Sequence, residues 1–194
     1  MAIARRGPIA GERLTLEEFL RLPEAKPPYE YWHGEVTQKV SPLGPHIALQ
    51  SGIPVLIARL AVAGQPVRAF PEARLIFSGV TTVPDLVVYR RERIPRDARG
   101  QVAEYFRTPP DVVVEIVSPG QSRTKLLARC RWYAANGIRL AVFADPRRRI
   151  VRLFRPDADS GDLRGADQLD LTDVLPGFTL SVDDFFAPLS ADWE

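Results

Sequence analysis

With 194 residues, 45% hydrophobic and 26% charged, the chain has the make-up of a globular protein and not of a disordered or fibrous one. A formal charge of +2 is too small to mark a nucleic-acid binder by bulk charge, and a lone cysteine, Cys130, excludes an intrachain disulfide. The longest apolar stretch, from Ile53, is interrupted by Arg59, which excludes a membrane span; no apolar signal core follows Met1, so a cytoplasmic protein is expected.

In chain order, Thr15 with Glu18 three residues on predicts a capping box and a short helix closed by Pro23. "YEYWHGEVTQKV" predicts a hairpin that turns at His33-Gly34. A helix is expected from His46 to about Ala63, with Ile47, Leu56, Ile57 and Leu60 inward and a kink or split at Pro54. Strands follow in "VRAFPEARLIFSG", with a break at Pro71, in "TTVPDLVVYR" and in "DVVVEIV". The last is apolar throughout except at Glu115, so both of its faces are expected to be covered. A helix from about Ser122 to Asn136 ends at Gly137. Two further strands, "IRLAVFAD" and "RIVRLFR", a polar loop and a small C-terminal cap complete the order. The mixture predicts an α/β fold, one domain over residues 1–194, with a mixed central sheet flanked by helices.

Phosphate loops, dinucleotide fingerprints, paired zinc-ligand spacings and nucleophile elbows are all missing from the sequence. His33 reads as a solvated turn residue and His46 as a capping or surface residue. What remains is acidic. Asp85 opens one apolar strand and Glu115 lies late in another, each in a setting where an uncompensated charge costs several kcal/mol, roughly. Side by side they would raise each other's pKa unless a cation lay between them. Oxygen donors without His or Cys favour Mg²⁺ or Mn²⁺, and the carbonyl of Ile116 could add a ligand. Glu72 on the preceding strand is a third acid, while Glu30 and Glu35 flank the hairpin turn as solvent-facing residues. The alternative is that Asp85 caps a turn and Glu115 pairs with an arginine.

The helix after Glu115 should pack Leu126, Leu127, Cys130, Tyr133 and Ala134 on the sheet. Lys125, Arg129, Trp132 and Asn136 then form a neighbouring stripe that can lean toward the carboxylates. Lys125 is one of only three lysines, with Lys26 and Lys39. Arginines cluster at Arg90–Arg99 and Arg147–Arg155, as a phosphate-facing surface or as ordinary solvated loops.

Pro84-Asp85, Glu115 and a following basic residue resemble the PD-(D/E)XK nuclease superfamily. More narrowly, "LTLEEFLRLP", "YEYWHGEV", "PHIALQ", "VPDLVVYR", "VVEIVSP", "WYAANGIRLAVFADPRRR" and "LPGFTLSVDDFF" resemble the Uma-two family of restriction-endonuclease-like proteins. The resemblance implies a restriction-endonuclease-like core with a Mg²⁺-dependent phosphodiesterase site. Asp85 and Glu115 would be its metal-binding acids, and Glu72 an acid one strand earlier. Val117 stands where the superfamily has lysine, and Arg129 where the narrower family has it. Lys125, one turn earlier, is the expected catalytic cation, with Arg129 on phosphate. A DNA endonuclease acting as a homodimer is the expected function. A catalytically impaired relative that binds nucleic acid or protein is the alternative.

Overall fold

The structure, a computed structural model, describes residues 13–60, 67–177 and 179–193. Thr15 caps α1 (Leu16–Leu20) through the expected reciprocal bonds with Glu18. Strands β1 (Tyr29–Trp32) and β2 (Glu35–Gln38) form the predicted hairpin, Trp32 opposite Glu35. His33 and Gly34 both take positive φ, as a two-residue turn matching strand twist requires. Helix α2 (Gly44–Leu60) continues through Pro54, and Ile47 is exposed where an inward position was expected. The side chain of Leu60 and residue Ala63 lie outside the described residues.

The two predicted strand segments before "DVVVEIV" resolve into four: β3 (Val67–Pro71), β4 (Leu75–Phe77), β5 (Val80–Thr82) and β6 (Leu86–Arg90). Ser78 and Gly79, both at positive φ, fold β4 back on β5. Then come β7 (Val112–Ile116), α3 (Arg123–Ala135), β8 (Leu140–Asp145) and β9 (Ile150–Arg155). Ser122 caps α3, and Gly137 follows it at φ 95°. After β10 (Ala158–Asp159), the cap comprises β11 (Gln168–Asp170), β12 (Thr179–Ser181) and α4 (Val182–Phe185).

The main sheet has six strands in the order β10-β9-β8-β7-β6-β3. Among its described strands only β7 and β8 pair in parallel, joined by α3. The expected mixed sheet flanked by helices is therefore present. Val112, Val114 and Ile116 of β7 face a core built with Leu49, Ile53 and Ile57 of α2 and with the C-terminal cap. Val113 faces the opposite core, against Leu126, Cys130 and Tyr133 of α3. Burial on both faces explains the unbroken apolar run of β7. Helix α2 meets the C-terminal segment closely at Gly52, where an added Cβ would lie 2.3 Å from Cβ of Pro188. Gly52→Ala should therefore destabilise the protein by about 1–3 kcal/mol through overpacking, seen as a lower unfolding midpoint.

A second sheet was not anticipated. Its order is β2-β1-β5-β4, and β1 pairs with β5 through Tyr31 opposite Thr81. This pairing carries the N-terminal hairpin from solvent onto the α3 side of the molecule. Trp32 meets Trp132 edge-on at 4.6 Å, and Phe77 packs on Trp132 and Tyr133.

Candidate active site

Strands β6 and β7 run antiparallel with Leu86 opposite Val114, so Asp85 meets the Glu115-Ile116 step. The Ile116 N–H donates to Asp85 Oδ2 at 2.7 Å. Asp85 and Glu115 are each 2% exposed. Oδ1 of Asp85 faces Lys39 Nζ at 2.6 Å and His46 Nε2 at 3.2 Å. Burial alone would push this carboxyl up. The His46 hydrogen bond and the Lys39 charge outweigh it and hold the carboxyl below the usual range. Burial likewise works against the Lys39 ammonium, but Asp85 and Glu115 more than offset it and keep the amine protonated beyond its usual range.

Glu115 points to the α3 face. Its Oε1 lies 2.8 Å from Tyr133 Oη, which is 2.8 Å from Thr82 Oγ1, which in turn donates to Glu30 Oε1 at 2.8 Å. That chain has three contacts but only two hydroxyl hydrogens. For all three to be hydrogen bonds, one carboxyl at its ends must hold a proton. Glu30 also accepts from the Val83 N–H and faces Arg129, whereas burial pushes the Glu115 pKa up to about 8, so the proton is assigned to Glu115. Arg129 opposes the rise while Asp85 adds to it. Arg129 Nη1 sits 2.9 Å from Glu30 Oε2 and 3.7 Å from Glu115 Oε1, with its guanidinium over Trp32. Burial disfavours its charge, but Glu115 and Glu30 reverse that and raise its pKa, so Arg129 is a fixed cation and not a proton donor.

Asp85 and Glu115 thus come together as the sequence suggested. Glu72 lies just past β3 in a positive-φ turn, not on the strand, and its Oε1 is 3.7 Å from Lys39 Nζ. Arg129 points into the acids. Lys125 does not: it is exposed and forms no ion pair among the described residues. The cation beside Asp85 is Lys39 instead, which extends from the end of β2 and was passed over in the sequence. Its one signal there was rarity, a lysine in a chain that otherwise uses arginine. Glu30, expected in solvent, is 3% exposed, because β1 pairs with β5 and carries it under α3. His46, expected as a capping or surface residue, is 4% exposed. Glu35 and His33 are exposed as expected.

The arginine clusters are largely used within the chain. Arg93 pairs with the buried Asp111, Arg149 with Asp183, Arg152 with Asp159, and Arg155 with Asp173. Arg90 donates to the carbonyl of Val174. Arg91, Arg99, Arg147 and Arg148 remain exposed.

Among the described residues, no group of three His, Cys, Asp or Glu side chains is placed to hold one ion together. A magnesium site normally takes only one or two carboxylates from protein and completes its shell with water and phosphate oxygens. Asp85 and Glu115 match that share. Asp85 Oδ1 is moreover a buried oxygen that lies 2.6 Å from Lys39 Nζ and 3.2 Å from His46 Nε2. The donor set therefore fits a hard dication. Beside it opens a cleft of about 880 Å³ whose wall includes Lys39, Gln50, Glu72, Val83 and Arg74. No helix among the described residues is long and apolar enough to cross a membrane.

Comparison with solved structures finds a close likeness to a crystal structure from Anabaena variabilis ATCC 29413, described as a "putative nuclease belonging to DUF820". The two are 34% identical, over 91% of this chain and 99% of that one, with a TM-score of 0.84. A cryo-EM structure of a DrdV–DNA complex matches at 16% identity over 71% of this chain and 11% of that one, with a TM-score of 0.38. No curated protein matches. A family model described as "Uma2: Putative restriction endonuclease" matches residues 16–183. Sharing its sequence pattern over most of its length and its fold with a relative at this identity, the chain belongs to the Uma2 family.

Proposed function

We propose that this chain is a metal-dependent endonuclease that hydrolyses phosphodiester bonds in DNA. The observation that carries the reading is the buried Asp85–Glu115 pair, with Lys39 against Asp85 at the wall of an open cleft. The family description and the nuclease description of the Anabaena relative support it.

In this reading Asp85 and Glu115 hold Mg²⁺ or Mn²⁺ with the Ile116 carbonyl, while Glu72 acts from beside Lys39 and not as a ligand. The bound dication would lower the pKa of water and neutralise charge on the phosphate. Lys39 orients the attacking water and stabilises negative charge that builds on the phosphate oxygens. Arg129 keeps Glu30 and Glu115 in register and is not a substitute for the family lysine. Exposed Lys125, Arg91, Arg99, Arg147 and Arg148 would contribute phosphate contacts at longer range. Two such sites in a homodimer would serve the two strands of a duplex.

The test is cleavage of supercoiled plasmid and of single-stranded oligonucleotides with Mg²⁺ or Mn²⁺. Nicking that stops on chelation and returns with added metal is expected. A second reading, a nuclease-like protein that binds DNA without cutting, is favoured by Arg129 at the family lysine position. Salt-sensitive DNA binding with no cleavage of any substrate would establish that reading instead.

A further inference from the structure

We propose that His46 and Ser118 form a positioning relay that fixes the Asp85 carboxylate against the end of β7. The proposal rests on the reading of Asp85 as a site acid. His46 lies in the first turn of α2, and its ring bridges two otherwise separate elements. Nε2 is 3.2 Å from Asp85 Oδ1, and Nδ1 is 2.8 Å from Ser118 Oγ. All three residues are nearly sealed from solvent, with exposures of 4%, 2% and 2% for His46, Asp85 and Ser118.

These contacts close a ring. One oxygen of Asp85 accepts directly from the Ile116 N–H at 2.7 Å. The other reaches the same strand end by way of His46 and Ser118, two residues beyond Ile116. The serine is itself held, since its N–H donates to Gln121 Oε1 at 2.8 Å and its carbonyl accepts from the Gln121 N–H at 3.1 Å. The terminal torsion of an aspartate is soft and broad. Tying both oxygens to the strand that carries Glu115 removes that freedom, so the two acids keep one mutual geometry.

The chemistry assigns a direction to the relay. An ionised carboxylate only accepts hydrogen bonds, so Nε2 carries the hydrogen toward Asp85. Nδ1 is then set by the Ser118 hydroxyl. Partners of this kind, which orient a metal-binding side chain without touching the metal, typically contribute 10- to 100-fold in metal affinity or activity. His46 and Ser118 are thus positioning residues, acting through Asp85.

Two measurements test this. The chain has two histidines, and His33 is exposed in the β1–β2 turn, so ¹⁵N imidazole spectra with a His33→Gln reference assign His46 unambiguously. Wild type should show hydrogen on Nε2 of His46, and Ser118→Ala should move the Nδ1 resonance. An Nε2 without hydrogen overturns the relay. In calorimetry without DNA, His46→Leu and Ser118→Ala should bind Mn²⁺ about 10- to 100-fold more weakly. His46→Gln, whose amide can still donate, should recover part of the loss. Under turnover, kcat should fall while KM for DNA stays within about threefold, by the logic that separates positioning from substrate binding. Should His46→Leu fail to fold, Ser118→Ala removes only one hydroxyl and decides the matter. Wild-type Mn²⁺ affinity in folded Ser118→Ala overturns the proposal. Should wild type neither bind Mn²⁺ nor cut DNA, the nuclease reading fails on its own, and the imidazole spectra of wild type and Ser118→Ala then decide the relay.

Discussion

Lys39→Met should lower the single-turnover rate of metal-dependent DNA cleavage by about 10²–10³, the usual cost of losing one preorganised charge contact in a transition state. The side chain is 8% exposed, and its ammonium lies against Asp85 with Glu72 beyond. Methionine keeps the unbranched bulk and removes the charge. It also leaves Asp85 with His46 as its remaining side-chain partner, so the folded state should lose stability, by roughly 3–5 kcal/mol if the charge stays unpaired. Lys39→Arg keeps the charge but is not an equivalent replacement, because a planar fork does not fit a space shaped around a point charge. It should retain more stability than rate. Lys125→Ala provides the contrast. Exposed and outside the acid cluster, Lys125 should alter DNA affinity at low salt and leave the chemical step within about threefold, as expected for a screened surface charge. Full cleavage rate in folded Lys39→Met, or collapse of the rate in Lys125→Ala, would return the catalytic cation to α3.

Glu115→Gln should abolish metal-dependent cleavage and yet stabilise the metal-free protein at alkaline pH. Glutamine removes the ligand charge but keeps an oxygen that can accept from Tyr133 Oη and adds an N–H that can donate. Burial pushes the Glu115 pKa from 4.5 up to about 8. The folded state therefore holds this proton more tightly than the unfolded chain does. The contribution is fully present below pH 4.5 and is lost as pH rises through the window to about 8. Within that window the wild type should lose up to about 1.4 kcal/mol per pH unit from this one group, and Glu115→Gln should not. Unfolding midpoints of the two proteins, recorded from pH 4 to 9 in chelator, provide the readout. Parallel curves would show that Glu115 stays ionised in the fold. The same proton must leave when a dication takes the carboxylate, so metal binding should release it below pH 8.

Asp85 and Glu115 were legible in the sequence for a simple physical reason. Each is a charge set in an apolar strand, where burial demands compensation. The helix that follows Glu115 was legible from its periodicity and its terminal glycine. Glu30 was not, because nothing local distinguishes it from a solvated hairpin residue. Its burial comes from the pairing of β1 with β5, which joins segments about fifty residues apart in sequence. The arginine clusters left two readings open, a phosphate-facing surface or solvated loops, and their spacing could not show that Asp111, Asp159, Asp173 and Asp183 take up part of their charge.

By itself, the sequence determined the coarse order of helices and strands, the two-faced burial of β7, the family pattern and the pair of acids at adjacent strand ends. These depend on periodicity and on the cost of burying charge, which are local properties. Only the tertiary structure shows which cations lie against those acids. Helical spacing allowed Lys125 or Arg129, but a stripe on one helix is too short to show which of its charges reaches across a sheet. The hairpin swings over α3 through β5, bringing Lys39 to Asp85 and Glu30 to Arg129, while α2 lays His46 against the same carboxylate. Long-range strand pairing and helix docking set those distances, and neither is encoded in the spacing of the residues they join.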